Sequence, residues 1–507
     1  MVNLAEKRHI IARLDQFLPL VNVLFFSLAV YFFAYDSQQK IFWDENYHVT
    51  SAQRYIEGVA HFEAHPPLGK LLIAAGEMLA GTNSDVDKHR LVFDKHISGD
   101  DLPDDFSFFG MRLMSTVFGF LSCVVFYFIV LRLSRNTLHA MFLSSLFIFE
   151  NAFVVHFRAA HLDAFQMFFV LLFLLNIISY WLNCKPIRSW QYVWLGALCA
   201  LAIMVKVNAV VLAVFFVFLF FKETGYWSRL RSIDLSFFVQ LLRKAMSALL
   251  GAVVVVSSVF YISLLMADKL PEQSSPIYQK DTTFMSPVYL DYLQGKHSLN
   301  IEVLGAAIAN YYTFMKSEHL GVAVLDLDSP AETGSSVWMW PLEQRNINYR
   351  WDSVNGYTRY VQLAGNHFSW LLGVLAVVLA LALIVYHRLS GLKLSDRGKN
   401  IYQLLEVFMF AYLAFMALHW WLSEQRVMYL YHYFIGLLFS YTLFVLVFLL
   451  CTEISQRFAR QSFKFVMALA IAITGCFYFV APLTYSLPLD KGACERQNSF
   501  HQTVQCQ

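Results

Sequence analysis

Two adjacent carboxylates, Asp44 and Glu45, stand in the stretch FWDENYHVTSAQRYIEG, just beyond the first long apolar run of the chain. Neighbouring residues on a helix point about 100° apart, so the pair must have different partners. One can act as a general base and the other as its orienter or as a hydrogen-bond acceptor. The competing reading is a helix start, with Asp44 capping residues 45–57 and the acidic pair favoured by the helix dipole. The residues alone leave both open. About twenty residues on, in EAHPPLGKLLIAAGEMLAG, two prolines fix a turn after His65 and Lys70 enters an amphipathic helix on the same side.

Charged residues in apolar runs cost about 2.5–3.5 kcal/mol each on insertion, so each must face a cavity or a partner. Arg112, Glu150, Arg158, Asp163, Lys206 and Arg426 are of this kind. Arg158 and Asp163 could pair across a short turn, and Arg112 could reach the bilayer surface along its own stem. Four cations (Arg112, Arg158, Lys206 and Arg426) nevertheless converge on one membrane boundary. Tyr431, His432 and Tyr433 add hydroxyl and imidazole donors there, or form an aromatic belt. Carboxylates beside a cationic pocket at a bilayer surface suit group transfer from a lipid-linked phosphate, whose leaving group needs positive charge more than an acid.

The elements that position these residues follow from composition. A chain of 507 residues that is 58% hydrophobic and 15% charged, with 48 Phe, 26 Tyr and 11 Trp, excludes soluble, disordered, collagenous and disulfide-scaffold classes. A membrane helix needs about 20 mainly apolar residues. The chain therefore reads as an all-α polytopic membrane protein with about eleven spans, near 16–35, 110–132, 138–156, 163–182, 190–205, 206–221, 245–266, 368–386, 402–420, 428–450 and 465–482. Basic clusters at Arg132/Arg135, Lys185/Arg188, Lys222–Lys244, Arg388–Lys399 and Arg457–Lys464 then all fall on the side of the N-terminus, which places that end in the cytoplasm and the C-terminus outside. Residues 1–485 form one membrane domain, with two long outer segments, 36–109 and 267–366, followed by an outer tail, 486–507. Segment 226–244 either lies on the inner surface or begins the seventh span early.

The net charge of +2 gives no reason to expect nucleic acid. The seven cysteines show no CxxC and no zinc spacing, and no nucleotide motif is present, so neither a metal nor a cofactor is expected. Cys123, Cys184, Cys199, Cys451 and Cys476 read as packing residues. Cys494 and Cys506 in the outer tail are either a disulfide or two free thiols.

The ordered set of WDEN, HPPLGK, Arg112, ENxxxxxxRxxxLD at 150–163, Gly196 with Lys206, WPL at 340–342, QLAGN at 362–366 and YLYHYF at 429–434 resembles the protein O-mannosyltransferases of the glycosyltransferase C superfamily. The resemblance runs from residue 40 to about 485. It implies a bundle of eleven spans and a polyprenyl- or dolichyl-phosphate-mannose donor. It further implies Asp44 as catalytic base with Glu45 beside it, Arg112 and Lys206 as donor-phosphate ligands joined by Arg158 and His432, and His65, Asp163, Tyr431 and Tyr433 shaping the site. Inversion at the anomeric carbon then needs one base and no covalent intermediate, unlike retaining glycosidases.

The chain departs from the family at Glu63-Ala64 and at GTNSD, which bears on acceptor contacts. Segment 267–366 is too short for the β-trefoil inserted in eukaryotic members, so a bacterial or archaeal relative in the cytoplasmic membrane is expected, acting with membrane lipids and a protein acceptor. Two rivals remain. One is a transferase of the same superfamily modifying lipid A or another envelope glycan, where a Lys-Pro-Pro stands in place of His65-Pro66-Pro67. The other is a transporter or flippase, which predicts inverted repeats that the chain lacks.

Overall fold

The computed structural model describes all residues except 1–3, 39, 95–96, 99–100, 184, 226–233, 330–331, 355, 502–505 and 507. Every predicted span falls on helix. Among the described residues, eight helices are long and apolar enough to cross a membrane on their own. The remaining three predicted spans are the shorter apolar helices Phe17–Phe32 and Ser189–Ile203 and a pair, Thr137–Ile148 and Asn151–Phe157, bent by 63° at residues 149–150. The protein is thus a multi-pass integral membrane protein. Cys184 and the first part of segment 226–244 lie outside the described residues; the described part begins the helix Leu235–Met266 early.

Packing explains several motif residues that carry no chemistry. Ideal Cβ atoms on Gly196 and Gly251 would stand 1.9 Å from the carbonyl oxygens of Ala248 and Val193, so these glycines let helices Ser189–Ile203 and Leu235–Met266 touch backbone to backbone. At the 63° bend the chain frees backbone groups, which side chains must satisfy. The fully buried Glu150 does this, accepting from the amides of Ala152 and Asn366, from Trp370 Nε1 (2.9 Å), from Ser369 Oγ (2.6 Å) and from Tyr441 Oη (2.5 Å). Asn366 in turn donates to Phe149 O and Ile473 O. The EN and QLAGN motifs are two halves of one knot.

Segments 36–109 and 267–366 fold over one end of the bundle. In the first, helices Glu45–Glu57 and Leu68–Ala80 each end at a left-handed glycine, Gly58 and Gly81. In the second lie the helices Pro276–Asp281, Pro287–Leu293 and Ile301–Leu320, and an antiparallel hairpin of Ile347–Val354 with Tyr357–Leu363. The hairpin is the departure from an all-α reading. Its sequence signal is Asn-Gly at 355–356 between alternating residues, with Gly356 at φ +78°. Cys494 and Cys506 form a disulfide, while Cys123 and Cys199 are buried in the bundle.

Candidate functional site

Where segments 36–109 and 267–366 meet, they line a cavity of about 410 Å³. Asp44, His48 and His65 line it from the first segment, Asp281, Phe314 and His319 from the second, and Arg426, Tyr431 and His432 from the loop before helix Phe434–Ile454. The second segment is pinned to the first by Tyr311 Oη donating to His65 O (3.0 Å) and by Phe62 N donating to Asp281 Oδ2 (2.9 Å). Tyr311 is thereby buried; Trp340 is also buried, its Nε1 donating to Ser335 Oγ (2.8 Å), while Tyr312, Trp338 and Trp351 are exposed.

Asp44 and Glu45 have the different partners that their spacing requires. Asp44 occupies the N-cap position of its helix but makes no side-chain cap bond. Its carboxylate instead turns into the cavity and accepts from Tyr431 Oη at 3.1 Å. Burial raises its pKa above the ordinary aspartate value, Lys206 and His156 pull it back, and Asp163 adds to the rise. Glu45 is fully buried and saturated. It accepts from Arg112 Nε (2.7 Å) and Nη2 (2.8 Å), from Ala160 N (2.8 Å) and from Phe42 N (3.2 Å).

The four predicted phosphate ligands do not form one cradle. Arg112, 1% exposed, spends its guanidinium on Glu45 and on the carbonyls of Gln38 and Lys40, and its face on Phe108 (4.0 Å). Arg158 does not pair with Asp163. It donates to Phe33 O, at the end of the first span, and lies over the Tyr485 ring. Both arginines line a separate small cleft behind Phe42.

His432 lines the cavity, and Lys206 stands beside the cavity-lining Tyr431. Lys206 Nζ is 2.6 Å from Asp163 Oδ2 and 5.1 Å from the centre of the Tyr431 ring. Its position at the helix break is fixed by Gln166 Nε2, which donates to Lys206 O and Asn208 Oδ1. His432 stacks on Tyr431 and Trp340, its Nδ1 against the Tyr429 backbone. Tyr433, expected to shape the site, instead points into the bundle, where its hydroxyl meets Tyr412 Oη at 3.1 Å. Successive residues on a helical turn cannot all face one cavity, so the YLYHYF motif divides between site and core.

His156 was missed. Its Nε2 is 2.8 Å from Asp163 Oδ2, its Nδ1 is 2.6 Å from Tyr349 Oη, and its ring stacks on Tyr431. A signal existed in His156 and Asp163 seven residues apart, but the break between them hides that they meet. Tyr349 belongs to the unpredicted hairpin. The result is a knot in which Asp163 joins His156 to Lys206 while Tyr431 ties it to Asp44.

These features define a helical membrane protein with a helix-start carboxylate facing a cavity at the edge of its spans and an ion-paired lysine beside the cavity wall. The model of the dolichyl-phosphate-mannose-protein mannosyltransferase family matches residues 21–266, and that of the C-terminal four-span region of protein O-mannosyltransferases matches residues 323–503. Among similar sequences, protein O-mannosyl-transferase 2 of Danio rerio is 25% identical over 177 residues, 34% of this chain and 22% of the relative. Dolichyl-phosphate-mannose–protein mannosyltransferase 1 of Saccharomyces cerevisiae is 31% identical over 131 residues, 26% of this chain and 15% of the relative. These alignments span less than a quarter of the relatives' length. One protomer of the S. cerevisiae Pmt1–Pmt2 complex, solved bound to its sugar donor, superposes with a TM-score of 0.76 at 13% identity, covering 96% of this chain and 92% of that one. The chain belongs to the protein O-mannosyltransferase family.

Proposed function

We propose that the protein transfers a mannosyl residue from a polyprenyl- or dolichyl-phosphate donor to Ser or Thr hydroxyls of translocated polypeptides, inverting the anomeric carbon. The observation that carries this reading is Asp44, a carboxylate at a helix start that forgoes its cap bond to face a cavity. In this mechanism Asp44 takes the proton of the acceptor hydroxyl as that oxygen attacks the anomeric carbon. The bond from that carbon to the phosphate oxygen breaks on the opposite face, and its electron pair leaves with the lipid phosphate. Lys206, held by Asp163, stabilises that phosphate together with His432 and Arg426, which line the same cavity. Glu45 and Arg112 act at one remove, holding the start of the Asp44 helix, and Arg158 fixes the end of the first span.

Residues 1–485 constitute the transferase domain of eleven spans with a cytoplasmic N-terminus, in a prokaryotic cytoplasmic membrane, the cavity on its outer face. The segment 267–366 closes the acceptor side. The test is transfer in detergent or nanodiscs from radiolabelled polyprenyl-phosphate-mannose to a Ser/Thr-rich peptide. Label in the peptide supports the proposal. Donor consumption with label only in lipid or glycan fractions overturns the acceptor, and no turnover of the donor overturns the reaction.

A further inference from the structure

Asp44 owes its direction to the residue before it. Elsewhere in the chain an aspartate starts a helix in the ordinary way. Asp234, extended at φ −118° and ψ 178°, turns its carboxylate back to accept from Phe237 N (3.0 Å). Asp44 is helical instead, at φ −71° and ψ −1°, and its carboxylate accepts from Tyr431 Oη rather than from an amide of its own helix start. The turn that delivers it runs from Phe42 to Glu45 and is closed by Glu45 N donating to Phe42 O (3.3 Å). Its first central residue, Trp43, stands at φ +54° and its second, Asp44, at negative φ. These are the signs of a type II′ turn, whose first central position glycine ordinarily fills. Trp43 is the one aromatic residue with positive φ among the described residues. A side chain of that bulk keeps a left-handed backbone only where its surroundings over-determine it.

Three tyrosines supply that constraint. The Trp43 ring meets Tyr429 at 5.3 Å and 89°, Tyr431 at 6.4 Å and 81°, and Tyr349 at 5.4 Å and 36°. The first two are the edge-to-face arrangement that ring quadrupoles favour. The turn is also tied at both ends, because Phe42 stacks on Tyr349 (5.8 Å) and its amide donates to Glu45 Oε2 (3.2 Å). None of the three tyrosines belongs to segment 36–109. Tyr349 comes from the hairpin, and Tyr429 and Tyr431 from the loop before helix Phe434–Ile454. We propose that Trp43 is the positioning residue for the base: its ring, gripped by Tyr349, Tyr429 and Tyr431, keeps the turn left-handed and so holds Asp44 out of its cap and in the cavity. With the ring gone the backbone relaxes to negative φ, Asp44 takes the cap bond, and the base leaves the acceptor. This role rests on the reading of Asp44 as the base.

The test is transfer from polyprenyl-phosphate-mannose to a Ser/Thr peptide by the full chain, with kcat and donor KM measured for Trp43→Phe, Trp43→Gly, Trp43→Ala and Asp44→Asn. Phenylalanine keeps a ring in the clamp, so kcat should stay near the wild-type value. Alanine gives up the ring and tolerates positive φ poorly, so kcat should fall by about tenfold or more at a nearly unchanged donor KM. Glycine gives up the same ring but takes a positive φ without strain, so Trp43→Gly should keep more kcat than Trp43→Ala. A role in packing alone predicts the reverse order, since glycine leaves the larger void and the looser chain. Wild-type kcat in Trp43→Ala, or a Trp43→Gly no better than Trp43→Ala, overturns the proposal. If the two small variants do not fold, Tyr429→Leu decides, because it takes one ring from the clamp and leaves Trp43 in place: a lowered kcat supports the proposal and a wild-type kcat overturns it. Retained transfer by Asp44→Asn is a different failure: the reading of Asp44 as the base falls, and the role of Trp43 with it.

Discussion

Glu45 and Asp44 are neighbours in sequence and opposites in surroundings. Glu45 sits in a wall where every lone pair it presents is met, four hydrogen bonds in all, two of them from Arg112. Asp44 sits at the edge of the cavity with one, from Tyr431. The same contrast separates Arg112 from Lys206: the guanidinium is consumed by a carboxylate and two carbonyls, while the ammonium has Asp163 as its hydrogen-bond partner and an aromatic face beside it. A buried ion pair whose partners are all satisfied holds structure, and breaking it leaves a bare charge. A charge left with spare capacity next to a cavity can do work on a substrate.

The largest effect should come from breaking the wall. Arg112→Ala strands Glu45, and thermal or denaturant unfolding in detergent should show a loss of about 3–5 kcal/mol, with transfer falling because the start of the Asp44 helix loosens. Lys206→Met should do the converse. Transfer falls by about 10²-fold, the scale of removing one preorganised charge donor, while stability falls less than with Arg112→Ala because His156 remains beside Asp163. Tyr431→Phe sharpens the contrast further and has the smallest effect. It removes one hydrogen bond to a charged group, which at 3.1 Å is long for its kind and falls at the low end of about 1.5–3 kcal/mol, so the rate should drop by roughly tenfold. The acid limb of the pH–rate profile should also move to higher pH. A general base works only when ionised, and the lost bond had favoured the ionised form, so the Asp44 pKa rises further above its already raised value.

The helical bundle was legible because lipid leaves the backbone no other solution, and runs such as 434–450 announce themselves by composition. The general position of the site was legible too, since intramembrane charges demand partners. Which charge partners which was not. Arg112 meets Glu45 from 67 positions away, and nothing in either local sequence says that the pair excludes Arg112 from the cavity. Arg158 and Asp163 stand close enough in sequence to suggest an ion pair, yet the turn between them sends one to the first span and the other to Lys206. The hairpin that carries Tyr349 was hidden by a reading tuned to helices, although its Asn-Gly turn signal was present.

The most direct measurement takes the two neighbours together, recording the mannosyl transfer rate and the unfolding midpoint of Asp44→Asn and Glu45→Gln in the same detergent. Asp44→Asn should lose transfer by about 10²–10⁴-fold at an unchanged or slightly raised midpoint, and Glu45→Gln should lower the midpoint, with its activity loss following from the lost stability. Retained transfer by Asp44→Asn, or equal destabilisation by both substitutions, would contradict the division of labour between them.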